Sequence, residues 1–272
     1  RLASVSKQFT AAAILLLEQE GKLKVEDAIC TYLDNCPAAW QPVTIHHLLS
    51  HTSGIPNYFD ATPGKAYQLT RTGATPDQIV ALFRDLPLAF TPGASYEWSN
   101  SNFVLAGLII ERAAGQPYAD FVKQSLLDPS GMLHSGYGDP SEAMALGYAS
   151  SWEKEPMPFA VSALYAAGGL YSTAEDLFQW HEALFRYQLL DESQVQKMLT
   201  AYTTNEVGNH LGYGFLMNKI AGQTWAGNGG MFDGYAARLV RYLDNQITVV
   251  LLSNQDGEIF TIAEEIDKLF LQ

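Results

Sequence analysis

The sequence predicts an α/β fold of the α+β type, an antiparallel sheet flanked by helices and joined to a mostly helical subdomain. Three observations carry this. Residues 8–17 contain no Gly or Pro and are apolar on nearly every side, as in a helix buried at the centre of a domain. Between about 22 and 200, helix starts recur with their capping residues. From Gly212 onward the apolar residues alternate with period two, the mark of strands.

In chain order, the first helix spans about 4–20 and stops at Gly21. Residues 22–40 read as turn and short helix. Thr44 to Ser50 forms a short helix that Gly54 and Pro56 prevent from continuing. Thr75-Pro76-Asp77-Gln78 combines a cap, a first-turn proline and a Gln three residues after the cap, opening a helix towards Arg84. A loop from Tyr96 to Asn102 feeds a helix from Phe103 to Ala114, and Tyr118 to Leu126 forms another. Ser172-Thr173-Ala174-Glu175 reads as a second capping box, opening a helix to Phe185. Tyr213, Phe215 and Met217 alternate; 236–243 and 247–253 read as strands joined by a hairpin at Asp244-Asn245. An amphipathic helix closes the chain from Ile259 to Leu271. The whole of 1–272 is expected to form one domain, with a helical part at about 22–200 and a sheet part at about 208–272 packed on helix 4–20.

The chemistry suggested by this frame sits at its start. Ser4 and Lys7 are three apart, so on a helix their side chains share a face. A buried lysine whose pKa falls towards neutrality can take the proton of a serine nucleophile. The spacing alone is weak, because Ser151 and Lys154 repeat it in a segment rich in Trp and Pro with no apolar helix behind it. The buried helix behind Ser4 separates the two.

Composition narrows the partners. A net charge of -13 argues against nucleic acid and anionic membrane surfaces. The longest apolar run, Ala11 to Leu17, is far too short to span a bilayer. Cys30 and Cys36 are the only cysteines, and read as two free thiols or as a short local disulfide in an exported protein. His47 and His51 are four apart, but Leu48 stands where a zinc-protease motif needs glutamate, which favours structural histidines over metal ligands. Neither a Gly-x-Ser-x-Gly elbow nor a phosphate loop occurs. No metal and no cofactor is expected.

Leu2 to Ala11, Leu48 to Pro56, Gly168 to Thr173 and Leu251 to Asn254 together resemble the serine β-lactamase and D,D-peptidase-like (penicillin-binding) hydrolases. The resemblance is greatest to the branch holding class C β-lactamases and related esterases and D-amino-acid peptidases. It implies their β-lactamase/transpeptidase-like fold, Ser4 as nucleophile and Lys7 as base. The family's Tyr-x-Asn triplet aligns with Trp98-Ser99-Asn100: Asn100 would contact a substrate amide, but an indole cannot shuttle a proton as tyrosine does. A local shift would let Tyr96 stand in. The family's third motif aligns with Gly227-Asn228-Gly229-Gly230 on a strand edging the site, with Asn228 where the branch often has histidine. There Asn228 would bond a substrate carbonyl or carboxylate, Gly229 and Gly230 would let backbone approach it, and the N–H groups of Ser4 and Met231 would form the oxyanion hole.

The resemblance thus implies a serine hydrolase acting through an acyl-enzyme on a small ester, a D-amino-acid peptide or a β-lactam. The alternative is a weakened or inactive member that binds a peptide or protein partner. It also implies export to the periplasm or cell envelope, though no signal region is visible. The family places a helix and strands before its nucleophile, so an upstream segment is expected, and without it the sheet would have an exposed edge.

Overall fold

The computed structural model describes residues 1–139, 144–148, 159–220, 222–255 and 259–270. The second Ser-x-x-Lys, at 151–154, lies outside them. A 3-10 turn, Ala3–Val5, leads into α1 (Ser6–Gln19), whose residues are all buried except Leu16, Glu18 and Gln19. Gly21 ends it with φ +74°, a conformation other residues adopt at a cost.

The helical part follows as α2 (Ile45–Leu49), α3 (Tyr58–Ala61), α4 (Pro63–Thr72), α5 (Pro76–Val80), α6 (Asn100–Ala114) and α7 (Tyr118–Val122). Thr44 caps α2 through a capping box whose second member is the His47 imidazole, and Thr75 with Gln78 caps α5 as expected. α6 begins three residues earlier than the sequence suggests, which puts Asn100 in its first turn. α7 passes into a π turn, Lys123–Leu127. Farther along come α8 (Ala174–Phe185) and α9 (Glu192–Met198). The cap of α8 is Thr173, accepting from the Asp176 N–H, one residue later than the expected box at Ser172 and Glu175.

Two strands, β1 (Gly136–Tyr137) and β2 (Leu170–Tyr171), form a small antiparallel ribbon. The main sheet holds β3 (Thr203–Thr204), β4 (His210–Leu211), β5 (Leu216–Ile220), β6 (Gln223–Phe232), β7 (Tyr235–Tyr242) and β8 (Ile247–Ser253). All six run antiparallel in sequence order. Tyr213 and Phe215, expected on a strand, are buried just ahead of β5. α10 (Ile259–Phe270) packs on β7 and β8.

The register leaves part of β6 without a β5 partner. β5 pairs with β6 only from Leu216↔Gly227 to Ile220↔Gln223, so residues 228–232 of β6 have no β5 partner. The 3-10 turn carrying Ser4 packs beside that free stretch. α1 lies between sheet and helical part: its apolar residues share one core with Phe103 and Ile109 of α6 and with Ala226, Ala237 and Leu239 of the sheet. Among the described residues no helix is long and apolar enough to cross a membrane.

Cys30 and Cys36 are joined as a disulfide, with Cα atoms 5.3 Å apart. Closing so short a loop constrains the unfolded chain modestly, by about 2 kcal/mol. The Cys30→Ser/Cys36→Ser double variant is therefore expected to unfold at lower urea with an unchanged m-value. A transition unmoved by the variant and by reductant would remove the bridge as a stabilising element.

Candidate active site

The site is built on the turn before α1. Ala3 has φ +46°, a left-handed conformation costly for a residue with a Cβ, of order 1–2 kcal/mol. Close packing from β6 holds it: a Cβ on Gly230 would lie 2.7 Å from the Ser4 nitrogen, so only glycine lets the strand come so near. Ser4 thus stands one turn ahead of the α-helix and not on it, but the three-residue spacing still brings Lys7 beneath it.

The Lys7 side chain is fully buried, and its Nζ lies 2.9 Å from Ser4 Oγ, 2.8 Å from Asn100 Oδ1 and 2.8 Å from the Ala167 carbonyl. Burial lowers its pKa from 10.5 to about 7. The faces of Trp98 and Phe103, with centroids 5.2 and 5.5 Å from Nζ, favour the cation but do not outweigh the lost hydration. A neutral amine has two hydrogens and one lone pair. Asn100 Oδ1 and Ala167 O can only accept, so they take both hydrogens and the lone pair faces Ser4 Oγ.

This depends on which way the Asn100 amide points. Its backbone N–H and Nδ2 both donate to Asn57 Oδ1, at 3.2 and 3.4 Å, leaving Oδ1 for Lys7. Asn57 is oriented in turn, because its Nδ2 donates to the Asp60 carboxylate, which can only accept. A polar chain therefore runs from Asp60 to the lysine.

Trp98 lies flat on His51, with ring centroids 4.2 Å apart. His51 is buried, has φ +58°, and accepts the Ser99 N–H on Nδ1. Burial, and then the nearby Lys7 charge, hold its pKa well below the usual value, so the ring is neutral. His47 Nδ1 likewise accepts a backbone N–H, from Thr44. Both histidines thus spend a ring nitrogen on the backbone, and no cluster of metal-ligand type occurs among the described residues. Tyr96 edges towards His51, and burial, then Glu206, raise its pKa to about 12. No hydrogen bond joins it to Ser4 or Lys7 among the described residues.

Asn228 is buried on β6, and its Nδ2 donates to the carbonyls of Ser4 and Gly214, at 3.4 and 3.2 Å. Its amide nitrogen thus ties the strand to the nucleophile turn. Ser4, Trp98, Asn228, Gly229, Gly230 and Met231 all line one cleft of about 470 Å³, with Met231 exposed at its rim. Lys7 lies against Ser4, and Asn100 against Lys7. Sequence reasoning missed the orienting residues Asn57 and Asp60, the Ala167 carbonyl, and the cleft residues Trp225 and Phe260. Asn57, Ala167 and Trp225 each lie within two residues of a segment that carries the resemblance, whereas Asp60 and Phe260 had no signal near them.

Comparison with known proteins agrees with the fold. The Beta-lactamase family model matches residues 1–271. Penicillin-binding protein 4* of Bacillus subtilis is 31% identical over 94% of this chain and 61% of its own length. Another relative, the putative penicillin-binding protein PbpX of Bacillus subtilis, is matched over 51% of its length, so the chain spans between half and two thirds of these curated relatives. A penicillin-binding protein from Bacillus halodurans superposes with a TM-score of 0.87 at 31% identity, covering 98% of this chain and 84% of that one. A D-stereospecific amidohydrolase from Streptomyces superposes with a TM-score of 0.84 at 27% identity, covering 94% and 82%.

Proposed function

The chain belongs to the Beta-lactamase family, and from that premise we propose a serine hydrolase acting through an acyl-enzyme on Ser4. The observation that carries this is the 2.9 Å contact between Ser4 Oγ and a buried Lys7 whose pKa lies near 7. In the proposed reaction Ser4 Oγ attacks an ester or amide carbonyl while its proton passes to the lone pair of Lys7. The N–H groups of Ser4 and Met231 receive the negative charge on the carbonyl oxygen. The alkoxide of an ester departs and takes its proton from water in the cleft, while Lys7, with its depressed pKa, gives its proton up to solvent. Water, deprotonated by the same amine, then releases the acid and restores Ser4.

Asn100 acts here by holding the amine, and its role towards a substrate amide is shared with that task. Asn228 acts as a brace for the nucleophile turn, with Gly229 and Gly230 giving substrate access to the strand edge. Small esters suit the site best. Trp98 supplies no proton, so a leaving group that departs without an acid is the easier one. D-amino-acid amides and peptides follow from the amidohydrolase neighbour, and β-lactams from the penicillin-binding relatives. The disulfide and those relatives support export to an oxidising compartment.

Incubation with a fluorophosphonate and with a fluorescent penicillin, followed by intact mass and peptide mapping, tests the reading. One adduct per chain on Ser4, absent from Ser4→Ala, is expected for the fluorophosphonate; the penicillin reports whether β-lactams are accepted. Folded protein that resists the fluorophosphonate would overturn the hydrolase in favour of a peptide- or protein-binding member.

A further inference from the structure

The cleft does not end at Ser4. Along β6, Asn228 and Gly230 face the nucleophile turn, and the alternating residues Trp225, Gly227 and Gly229 face the opposite side of the sheet, where α10 packs. Trp225, Val240 and Phe260 on that side nevertheless line the same cleft as Ser4 and Trp98. The cavity therefore passes around the free edge of β6, just beyond Leu216, where β5 stops pairing.

Gly229 lets the Phe260 ring lie against the strand there, since a Cβ on it would stand 2.8 Å from that ring. The bare stripe is walled by Leu216, Trp225, Val240 and Phe260. One charged side chain belongs to this wall, Arg238, which pairs with Gly229 across the ladder. Its two terminal nitrogens donate to the two oxygens of Asp267, at 3.1 and 2.8 Å, so its charge is already matched. Tyr242 donates to the same carboxylate. Among the described residues, Glu206 acts at the Tyr96 end of the cleft.

We propose that this outer extension is a specificity subsite for an uncharged aromatic or bulky aliphatic group carried by the substrate next to its scissile bond. It rests on the hydrolase reading of Ser4 and adds the substrate class. Transferring a phenyl ring from water into such a slot is expected to raise kcat/KM about 10-fold to 100-fold over a methyl group.

Two ester series test it by titrating released acid, one with the ring on the acyl side and one with it on the alcohol side. Each compares a methyl, a phenyl and a carboxylate-bearing group. The phenyl ester is expected to be preferred in at least one series. Phe260→Ala is expected to lower that phenyl-to-methyl ratio at least 10-fold, with Phe260→Leu between. Trp225→Ala, on a different element, is expected to lower the same ratio and guards against misfolding of α10. A preference for the carboxylate ester, or a phenyl ratio indifferent to both positions, would overturn the subsite. Fluorophosphonate labelling of Ser4 in the same preparations separates the two readings, since an unlabelled wild-type protein refutes the hydrolase itself.

Discussion

Lys7→Met is expected to lower the rate of Ser4 acylation by about 10²- to 10⁴-fold, the loss of a general base. In the wild-type protein that rate should rise with pH through about 7, as the buried amine sheds its proton. His51 is the neighbouring imidazole, and it stays neutral through this range, so the rise reports the lysine. Stability gives an independent check with a definite sign. The folded-state pKa is depressed from 10.5 to about 7, so between these values the unfolded chain holds a proton that the folded chain has lost. The wild-type protein therefore gains stability as pH rises through this window, and carries the full penalty below it. Between pH 7 and pH 9 the gain from this one group is on the order of 2–3 kcal/mol. Lys7→Met lacks that slope. At pH 7 itself the two proteins should lie closer, because methionine removes the penalty but leaves Asn100 Oδ1 and the Ala167 carbonyl without their donor. Urea unfolding of both proteins at pH 7 and 9, beside the labelling rate from pH 5.5 to 8.5, measures both effects. A flat wild-type rate profile, or acylation retained in Lys7→Met, would remove Lys7 as the base.

The same group explains what was legible in the sequence. A helix apolar on nearly every side must be central, and a polar side chain beside its apolar run must be buried; Lys7 followed from that pattern, while Glu18 and Gln19 at the far end reach towards solvent. Short helices with side-chain caps at Thr44 and Thr75 were equally readable, because the cap is a local interaction. β6 was visible only through the resemblance, since Gly227-Asn228-Gly229-Gly230 has poor strand propensity. Those glycines are there for close approach: to the Ser4 turn on one side, to Val240 and Phe260 on the other. Asn57 and Asp60 escaped because their effect is relayed across elements far apart in the chain. The outer extension of the cleft escaped for the same reason, arising from where β5 stops and not from any motif.

Trp98→Tyr is expected to raise amide hydrolysis by about 10²-fold and ester hydrolysis by much less. Lys7 stands 2.9 Å from Ser4 Oγ and can take the serine proton, but its other two contacts tie it to Asn100 and Ala167. An amine leaving group needs a proton delivered from the cleft side, and the side chain there is an indole ring stacked on His51. Its N–H has no exchangeable acid–base function near neutral pH, whereas a phenol offers a hydroxyl that both donates and accepts. Tyr96 does not replace it, because burial and Glu206 raise its pKa to about 12 and it bonds neither Ser4 nor Lys7 among the described residues. An ester leaving group departs with less assistance, so its rate should move little. The ratio of amide to ester kcat/KM is thus the sensitive readout, and a change in folding alone would shift both rates together. If the ratio stays fixed while Ser4 still labels, position 98 is only a wall of the cleft and the proton comes from Lys7. A ratio that rises shows a site whose nucleophile and base are intact and whose indole restricts it to esters.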